Sequence, residues 1–485
     1  MFLHSIRNTG AVNILVSLLL FPLLAAGQAP KLGKSKSRAM RYIEDHKEEL
    51  ASWSDRIWEF AEPSLKETMS CSLLVNILKG EGFEVKENIA GMPTVFSATF
   101  GNRGPVVGLF GEYDADPDAS NKTVPRKDAL VAGGFGHGGH HNLLAIGSLG
   151  AALAVKKLIQ DGQLDCTIRY YGTTAEGTIG AKTFLARDGH FDDLDFSLYW
   201  HPAPSTWAST KPWDALIDFD IILSAPTANV VRDNKFGATT LDALELVIEE
   251  LRTIRRKATP AIRMNYSIDQ ESSDRSETAD TVRLSVRIQC ASQEDAIALF
   301  QETKTSVAKA VAGLNQSASV NVVRAFHQFL PNVTGMSVVQ KNMEMVGPVH
   351  YTNEDQAYTT KMQRELQLAP EGIQDKTGTF SDQSNTSAVY GYASDIGDAS
   401  WIAPEVYFVV KTLPPVPMHQ WPATAFSAHA IGHKGMIKAS KILCLTIIDF
   451  VESKELQRSI HADFVRAKKS YIYRSLLTPG ISTER

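Results

Sequence analysis

The sequence is poor in cysteine and gives no sign of a disulfide framework. Its four cysteines lie far apart and never in CxxC spacing, at Cys71, Cys166, Cys290 and Cys444. Each falls in an apolar stretch typical of a helix or strand interior, where an unpaired thiol behaves as a small hydrophobic side chain. We therefore expect four buried, unpaired thiols.

The chain also lacks a strong charge of one sign. Its 49 Lys and Arg nearly balance its 54 Asp and Glu, giving a net charge of -5, and basic residues form only short runs such as 252–257. A nucleic-acid-binding surface needs a clustered basic patch. We therefore expect no nucleic-acid partner, and a small amide or peptide-like molecule is a better candidate substrate.

Long hydrophobic runs are rare, and the clearest one is at the N-terminus. Arg7 precedes the apolar residues 12–26, and Ala25 and Gly27 are the small residues that signal peptidase accepts. Residues 1–27 are therefore predicted to be a signal peptide of a secreted or periplasmic protein. An uncleaved membrane anchor is the less favoured alternative, because the run is shorter than the ~20 residues of a span. No stable membrane anchor is expected.

The remaining chain is too long for one compact core, and its pattern changes twice. Helix and strand patterns alternate to residue 207 and resume from 323 to 485. Between them, residues 208–322 follow the order strand, helix, strand, strand, helix, strand, which is the split βαβ unit. We predict an α/β protein whose mixed-sheet catalytic domain (28–207 and 323–485) carries an inserted ferredoxin-like domain. The open sheet of such an insert leaves an edge that a second copy can cover, so a homodimer is expected.

Histidines and one glutamate follow strand-like runs in the catalytic segments. The segment GHGGHHNLL contains His141, TTAEG contains Glu176, LYWHP contains His201, and PMHQW contains His419. Imidazoles and a carboxylate aimed into one cleft are the usual parts of a hydrolytic metal site. Neutral imidazole suits zinc, with manganese and cobalt as alternatives.

These segments, together with GEYDADP, SDIGDASW and GHKGM, resemble the aminoacylase and carboxypeptidase superfamily of zinc metallopeptidases, and within it the aminobenzoyl-glutamate hydrolases. The resemblance runs from about residue 38 to 450. It implies a zinc-peptidase-like catalytic domain with an inserted lid that also dimerises. It also implies that His141, His201 and His419 bind metal and that Glu176 is the general base and acid.

Other polar residues of the matching segments are candidates for supporting roles. Asp114, Asp395 and Asp398 match acidic positions near the superfamily's site, where a carboxylate orients an imidazole ligand. Turn formation or capping is an equal alternative for Asp398. His433, at the start of a predicted helix, is a candidate either for contact with substrate or for capping that helix.

Several positions depart from the pattern that the resemblance implies. Gly139 stands where a liganding Cys is expected, and His140 replaces the neighbouring Gly. Gly177 stands in place of a second, metal-binding Glu, and Thr227 in place of a His that polarises the substrate carbonyl. Because glycine has no side chain with which to bind a metal, these changes weaken the case for a two-metal site.

Three interpretations follow. The favoured one is an exported metal-dependent amidohydrolase in which His140 or His137 takes over a lost ligand position and one metal suffices. The second is a pseudoenzyme that binds a small ligand without cleaving it, and the third, least favoured, is a structural secreted protein. The expected substrate is an N-acyl amino acid, a dipeptide or a related amide, and Arg187, Lys182 and Arg324 are candidates for anchoring its carboxylate.

Overall fold

The computed structural model describes residues 32–224, 240–257, 262–269, 281–314, 316–385 and 390–477. The predicted signal peptide and Thr227 lie outside these residues, so both predictions stay predictions. Within them all four cysteines are free and buried, which confirms the expectation of unpaired thiols.

The larger sheet has seven strands in the order β1-β2-β4-β3-β5-β11-β6. The four central strands, β4, β3, β5 and β11, are parallel to one another, and β2 and β6 flank them in antiparallel orientation. The edge strand β1 is antiparallel to β2. The bounds are β1 Glu84–Glu87, β2 Phe96–Phe100, β3 Val106–Glu112, β4 Thr167–Thr173, β5 Phe196–Ala203, β6 Trp207–Ala208 and β11 Glu405–Lys411. The central strands are nearly continuous apolar runs, as expected where helices cover both faces of a parallel sheet.

Helices surround this sheet. They are α1 Lys34–Asp45, α2 Lys47–Phe60, α3 Thr68–Gly80, α4 His141–Gln160, α5 Ala181–Arg187, α8 Val333–Val346, α9 Asn353–Glu365, α10 Ile396–Ser400, α11 Trp421–Ser427, α12 Ala430–Glu452 and α13 Lys454–Lys468. The central helix is α4, which is buried along most of its length. Gly147 lets it approach β5, since a Cβ there would lie 2.5 Å from the Trp200 ring.

Among the described helices, α4 alone is long and apolar enough to cross a membrane by length and composition. In the folded protein, however, 89% of its apolar window is buried against other parts of the chain. Burial on all sides explains why its sequence is apolar all round and not amphipathic.

A second, four-stranded antiparallel sheet has the order β10-β7-β9-β8. Its elements follow in the chain as β7 Ala215–Ser224, α6 Thr240–Arg256, β8 Ile262–Asp269, β9 Thr281–Cys290, α7 Gln293–Val311 and β10 Ser317–Phe326. In β9 buried apolar residues alternate with exposed or partly exposed polar ones, because helices cover one face of this sheet. The role of this segment as a lid and dimerisation domain stays a prediction.

Candidate metal centre

The candidate site lies at the carboxyl ends of the parallel strands, where α/β folds place their binding clefts. Glu112 ends β3, and His201 lies near the end of β5. The β3/β5 register pairs Leu109 with Leu198, and its continuation places Glu112 opposite His201. His141 is the first residue of α4. The sheet register and the start of one helix therefore bring these three side chains together.

Glu112, His141 and His201 form a compact group of potential metal ligands. One ligand atom from each lies within 4.8 Å of the other two. His141 Nε2 is 3.4 Å from Glu112 Oε2. Both atoms are buried, and neither has a hydrogen-bond partner among the described residues. Buried polar atoms nearly always have a hydrogen-bond partner, and these two face only each other at a distance that leaves room for a divalent cation bound to both.

Both imidazoles are held so that one ring nitrogen faces this group. His141 Nδ1 is 2.8 Å from Asp114 Oδ1, and His201 Nδ1 donates to the Pro202 carbonyl at 2.7 Å. Such contacts fix the ring orientation and leave Nε2 for a metal. Burial alone would lower the pKa of His141, but the Asp114 carboxylate reverses this effect and raises it to about 10. Burial and the charge of His141 lower the pKa of His201 to about 4.

His419 borders the same cleft from the other side of the GHGGHH loop. Its backbone N–H donates to the Gly138 carbonyl, and its Nδ1 is 3.0 Å from Asp116 Oδ1. A Cβ at Gly139 would lie 3.2 Å from His419 Cε1 and 3.3 Å from His141 Nε2. A Cys side chain at position 139, where the resemblance implies a metal ligand, would therefore begin between these two imidazoles. His419 itself lies outside the compact group.

Glu176 lies in the turn that follows β4, next to Ala175, which has a positive φ of 58°. Burial and the nearby Glu112 and Asp395 carboxylates raise the pKa of Glu176 to about 7. A carboxyl group with a pKa near neutrality is suited to accepting and returning a proton.

Arg324, on β10 of the second sheet, holds the turn after Glu176. Its Nη1 donates to the carbonyl oxygens of Gly177 and Thr178 at 3.0 and 2.8 Å, and its Nε donates to Asp218. Arg324 therefore contacts backbone and a carboxylate of the protein, a role that the sequence did not indicate. It links the second sheet to the segment that bears Glu176.

The two histidines considered as replacement ligands are both fully buried. His140 Nε2 donates to the Ala423 carbonyl at 2.7 Å, and its Nδ1 is 2.9 Å from the Thr412 hydroxyl. Both ring nitrogens of His140 are thus occupied by protein atoms. His137 Nε2 donates to the Ile57 carbonyl at 3.0 Å, and its Nδ1 lies outside the compact group.

The remaining candidates divide between the site and other parts of the protein. Asp395 lies next to the site, because its carboxylate is paired with Lys182, which is also paired with Glu112. Asp398 instead contacts the buried His327 ring and the Tyr473 hydroxyl. His433 is paired with Asp55 on α2, and Arg187 is paired with its neighbour Asp188. These contacts give Asp398, His433 and Arg187 structural partners.

Glu112 is the site residue that the sequence reasoning missed. Its signal was present, because Glu112 and Asp114 are two positions apart at the end of a strand and so share a face. The residues fit a bound metal, since one carboxylate and two imidazoles are a ligand set that zinc accepts in catalytic sites.

No family model matches the chain. Over 448 residues it is 26% identical to a p-aminobenzoyl-glutamate hydrolase subunit of Escherichia coli (strain K12), covering 86% of this chain and 92% of that protein. Over 454 residues it is 22% identical to the Xaa-Arg dipeptidase of Mus musculus, covering 90% and 93%. A solved Bacillus subtilis structure, described as a dinuclear metal-binding peptidase from the M20 family, matches with a TM-score of 0.54 at 13% identity, covering 84% of this chain and 99% of that one.

These matches confirm the resemblance to the metallopeptidase superfamily and the mixed α/β fold class. The relatives are hydrolases, and the prediction that the chain is an enzyme is confirmed. They support the coarser prediction of a metal-dependent amide hydrolase.

Proposed function

We propose that the protein is an exported amidohydrolase that uses one divalent metal ion, zinc by expectation, to cleave the amide bond of an N-acyl amino acid, a dipeptide or a related small amide. Glu112, His141 and His201 would hold the ion, with His419 at the border of the site. Glu176 would act as general base and acid. Between the two related functions, catalysis is favoured over ligand binding without cleavage.

One observation carries the proposal: Glu112 Oε2 and His141 Nε2 face each other at 3.4 Å, buried and without other partners in the described chain. Without a metal these two atoms meet only each other, at a distance longer than an ordinary hydrogen bond, and an incompletely satisfied buried polar group is costly. Their retention beside Glu176, with its pKa near 7, supports catalysis.

When bound, the metal would polarise the scissile carbonyl and lower the pKa of a water molecule. The residues of the chain perform the other tasks. Glu176 takes a proton from the attacking water and returns it to the leaving nitrogen. Asp114 keeps His141 in one orientation, and Asp116 does the same for His419. Arg324 fixes the turn that carries Glu176.

The functions of the two relatives bear on the substrate. The Escherichia coli relative acts on p-aminobenzoyl-glutamate, and the mouse relative on Xaa-Arg dipeptides. Both are amides of an amino acid with a free carboxylate. We therefore propose that this substrate class, not a long peptide or an ester, is what the protein cleaves.

Two further proposals concern the assembly and the location. A homodimer through the second sheet is supported by exposed apolar side chains on its outer elements, Leu241 and Leu246 on α6 and Ile268 on β8. Such side chains are enriched where a surface is covered by a partner. Secretion or export to the periplasm is supported by the apolar residues 12–26 alone.

The experiment is a screen of N-acyl amino acids and dipeptides with the zinc-loaded mature chain, followed by two variants. Glu176→Gln should lower any amidase rate by about 10²-fold or more, the scale of general acid and base catalysis, with the zinc content unchanged. His141→Ala should remove the zinc. Glu344→Gln and His433→Ala serve as matched controls, because neither residue touches the site.

The results separate the interpretations. An unchanged rate in Glu176→Gln would assign the proton transfer to another group. Zinc binding with no cleavage of any amide by the parent would favour the ligand-binding interpretation. Full zinc content in His141→Ala would contradict the proposed metal centre.

A further inference from the structure

A fully buried lysine, Lys182, lies next to the proposed metal centre. The Lys182 side chain is 0% exposed, and its Nζ is 2.6 Å from Glu112 Oε1 and 2.7 Å from Asp395 Oδ1. Both carboxylate side chains are also 0% exposed. The backbone N–H of Lys182 donates to the second oxygen of Asp395 at 2.9 Å. One ammonium group thus bridges two buried carboxylates.

Removing three charges from water is expensive, and such a group persists only if its members satisfy one another. The aromatic ring of Tyr199 further stabilises the buried ammonium group, because Lys182 Nζ lies 5.7 Å from the centroid of this ring. The lysine is therefore a fixed positive charge of the interior and is not free to anchor a substrate carboxylate.

Glu112 joins this group to the proposed ion. Its Oε1 accepts from Lys182, whereas its Oε2 faces His141 Nε2. The same carboxylate is thus shared between a permanent cation on one side and the ion position on the other. Two-metal hydrolases place a second cation close to the first, and here the ammonium group of Lys182 is a second cation beside the ion position.

We infer that the Lys182 ammonium takes the electrostatic place of a second metal ion, so that the centre is built for one divalent cation. The inference rests on the proposed function, because it takes Glu112, His141 and His201 as the ligands of that one ion. Lys182 is a positioning residue: it holds Glu112 and balances the charge of Asp395.

The two glycines of the site agree with a one-ion centre. Gly139 and Gly177 stand at positions where the resemblance implies metal-binding side chains. A Cβ at Gly177 would have only Asp114 Oδ2 within 4 Å, at 3.9 Å, so space remains there for a longer side chain. The side chains that the resemblance implies for a second ion are missing at both glycines, whereas Glu112 and Asp395 form a pair of carboxylates that already holds one cation, the Lys182 ammonium.

The test is the number of Zn²⁺ ions bound per folded chain, measured by equilibrium dialysis with elemental analysis. The parent and Lys182→Arg, which keeps the charge, should each bind one ion. Lys182→Met keeps the chain length but frees Glu112 Oε1 and Asp395, and it should bind two. Lys438→Met is the matched control, because Lys438 is buried and paired with Asp375 at 2.6 Å away from the site. It should bind one ion.

Two ions in the parent, or one ion or none in folded Lys182→Met, would overturn the inference. If Lys182→Met fails to fold by circular dichroism, Lys182→Gln, which keeps a hydrogen-bond donor, takes its place with the same expected count. A parent that binds no Zn²⁺ would refute the proposed function instead. A parent with one ion that is lost in His141→Ala, together with one ion in Lys182→Met, would refute only the inference.

Discussion

Binding of a metal ion should displace a proton from His141, and the number of protons released per bound ion can be measured. The Asp114 carboxylate bonded to Nδ1 outweighs the effect of burial and raises the pKa of His141 to about 10. The ion-free protein therefore carries a proton on this ring at neutral pH. Because an imidazole must lose its second proton before it binds a metal, the proton and the ion compete for Nε2.

The magnitude follows from the pKa. A pH of 7 is about three units below the pKa of His141, so removing the proton from the ring at this pH costs about 4 kcal/mol, at 1.36 kcal/mol per unit. Zinc affinity should therefore be about 10³-fold weaker than for a deprotonated ring. The zinc affinity should rise about tenfold per pH unit as the pH increases from 7 toward 10, because fewer His141 rings then carry the competing proton.

Isothermal titration calorimetry in two buffers of different ionisation enthalpy gives the number of protons released. The comparison is Asp114→Asn at pH 8, where the amide no longer favours the charged ring and the pKa of His141 returns toward its ordinary value of about 6.5. The variant should release about one proton fewer than the parent, since other protons lost on binding are common to both. Equal proton release in the two proteins, or a zinc affinity of the parent that is flat from pH 7 to 9, would refute the reasoning.

Two further predictions concern the second sheet. Arg324→Met removes the donors to the Gly177 and Thr178 carbonyls. Because small misplacements of catalytic groups are costly, kcat should fall about tenfold or more, with KM and zinc content little changed. The control is Arg287→Met, which removes another partner of Asp218 and should leave kcat near the parent value; equal losses of kcat in both variants would contradict the role of Arg324. Light scattering at micromolar concentration should show a dimer that Leu246→Glu weakens, and a monomeric parent would contradict the proposed interface.

Much of the fold and part of the site follow from local sequence. Alternating strand and helix patterns predicted a mixed-sheet α/β domain, and the order strand, helix, strand, strand, helix, strand in residues 208–322 predicted a second sheet. The parallel direction of the central strands was not predicted. His201 lies near the end of such a run and Glu176 follows one, whereas His141 begins an apolar helix after a loop. Their roles in the site came from the resemblance and stay predictions. Local patterns are informative here, since side-chain period and strand ends are properties of consecutive residues.

The sequence by itself determined which residue types reach the cleft, and the tertiary structure decided what each of them contacts. His140 and His137 lie in the same short segment as His141, yet their rings bond to Ala423, Thr412 and Ile57, far away in the chain. Glu112 and Lys182 are 70 positions apart and form one buried pair. Spacing in the chain cannot show such partners, because burial and charge pairing depend on how distant segments pack.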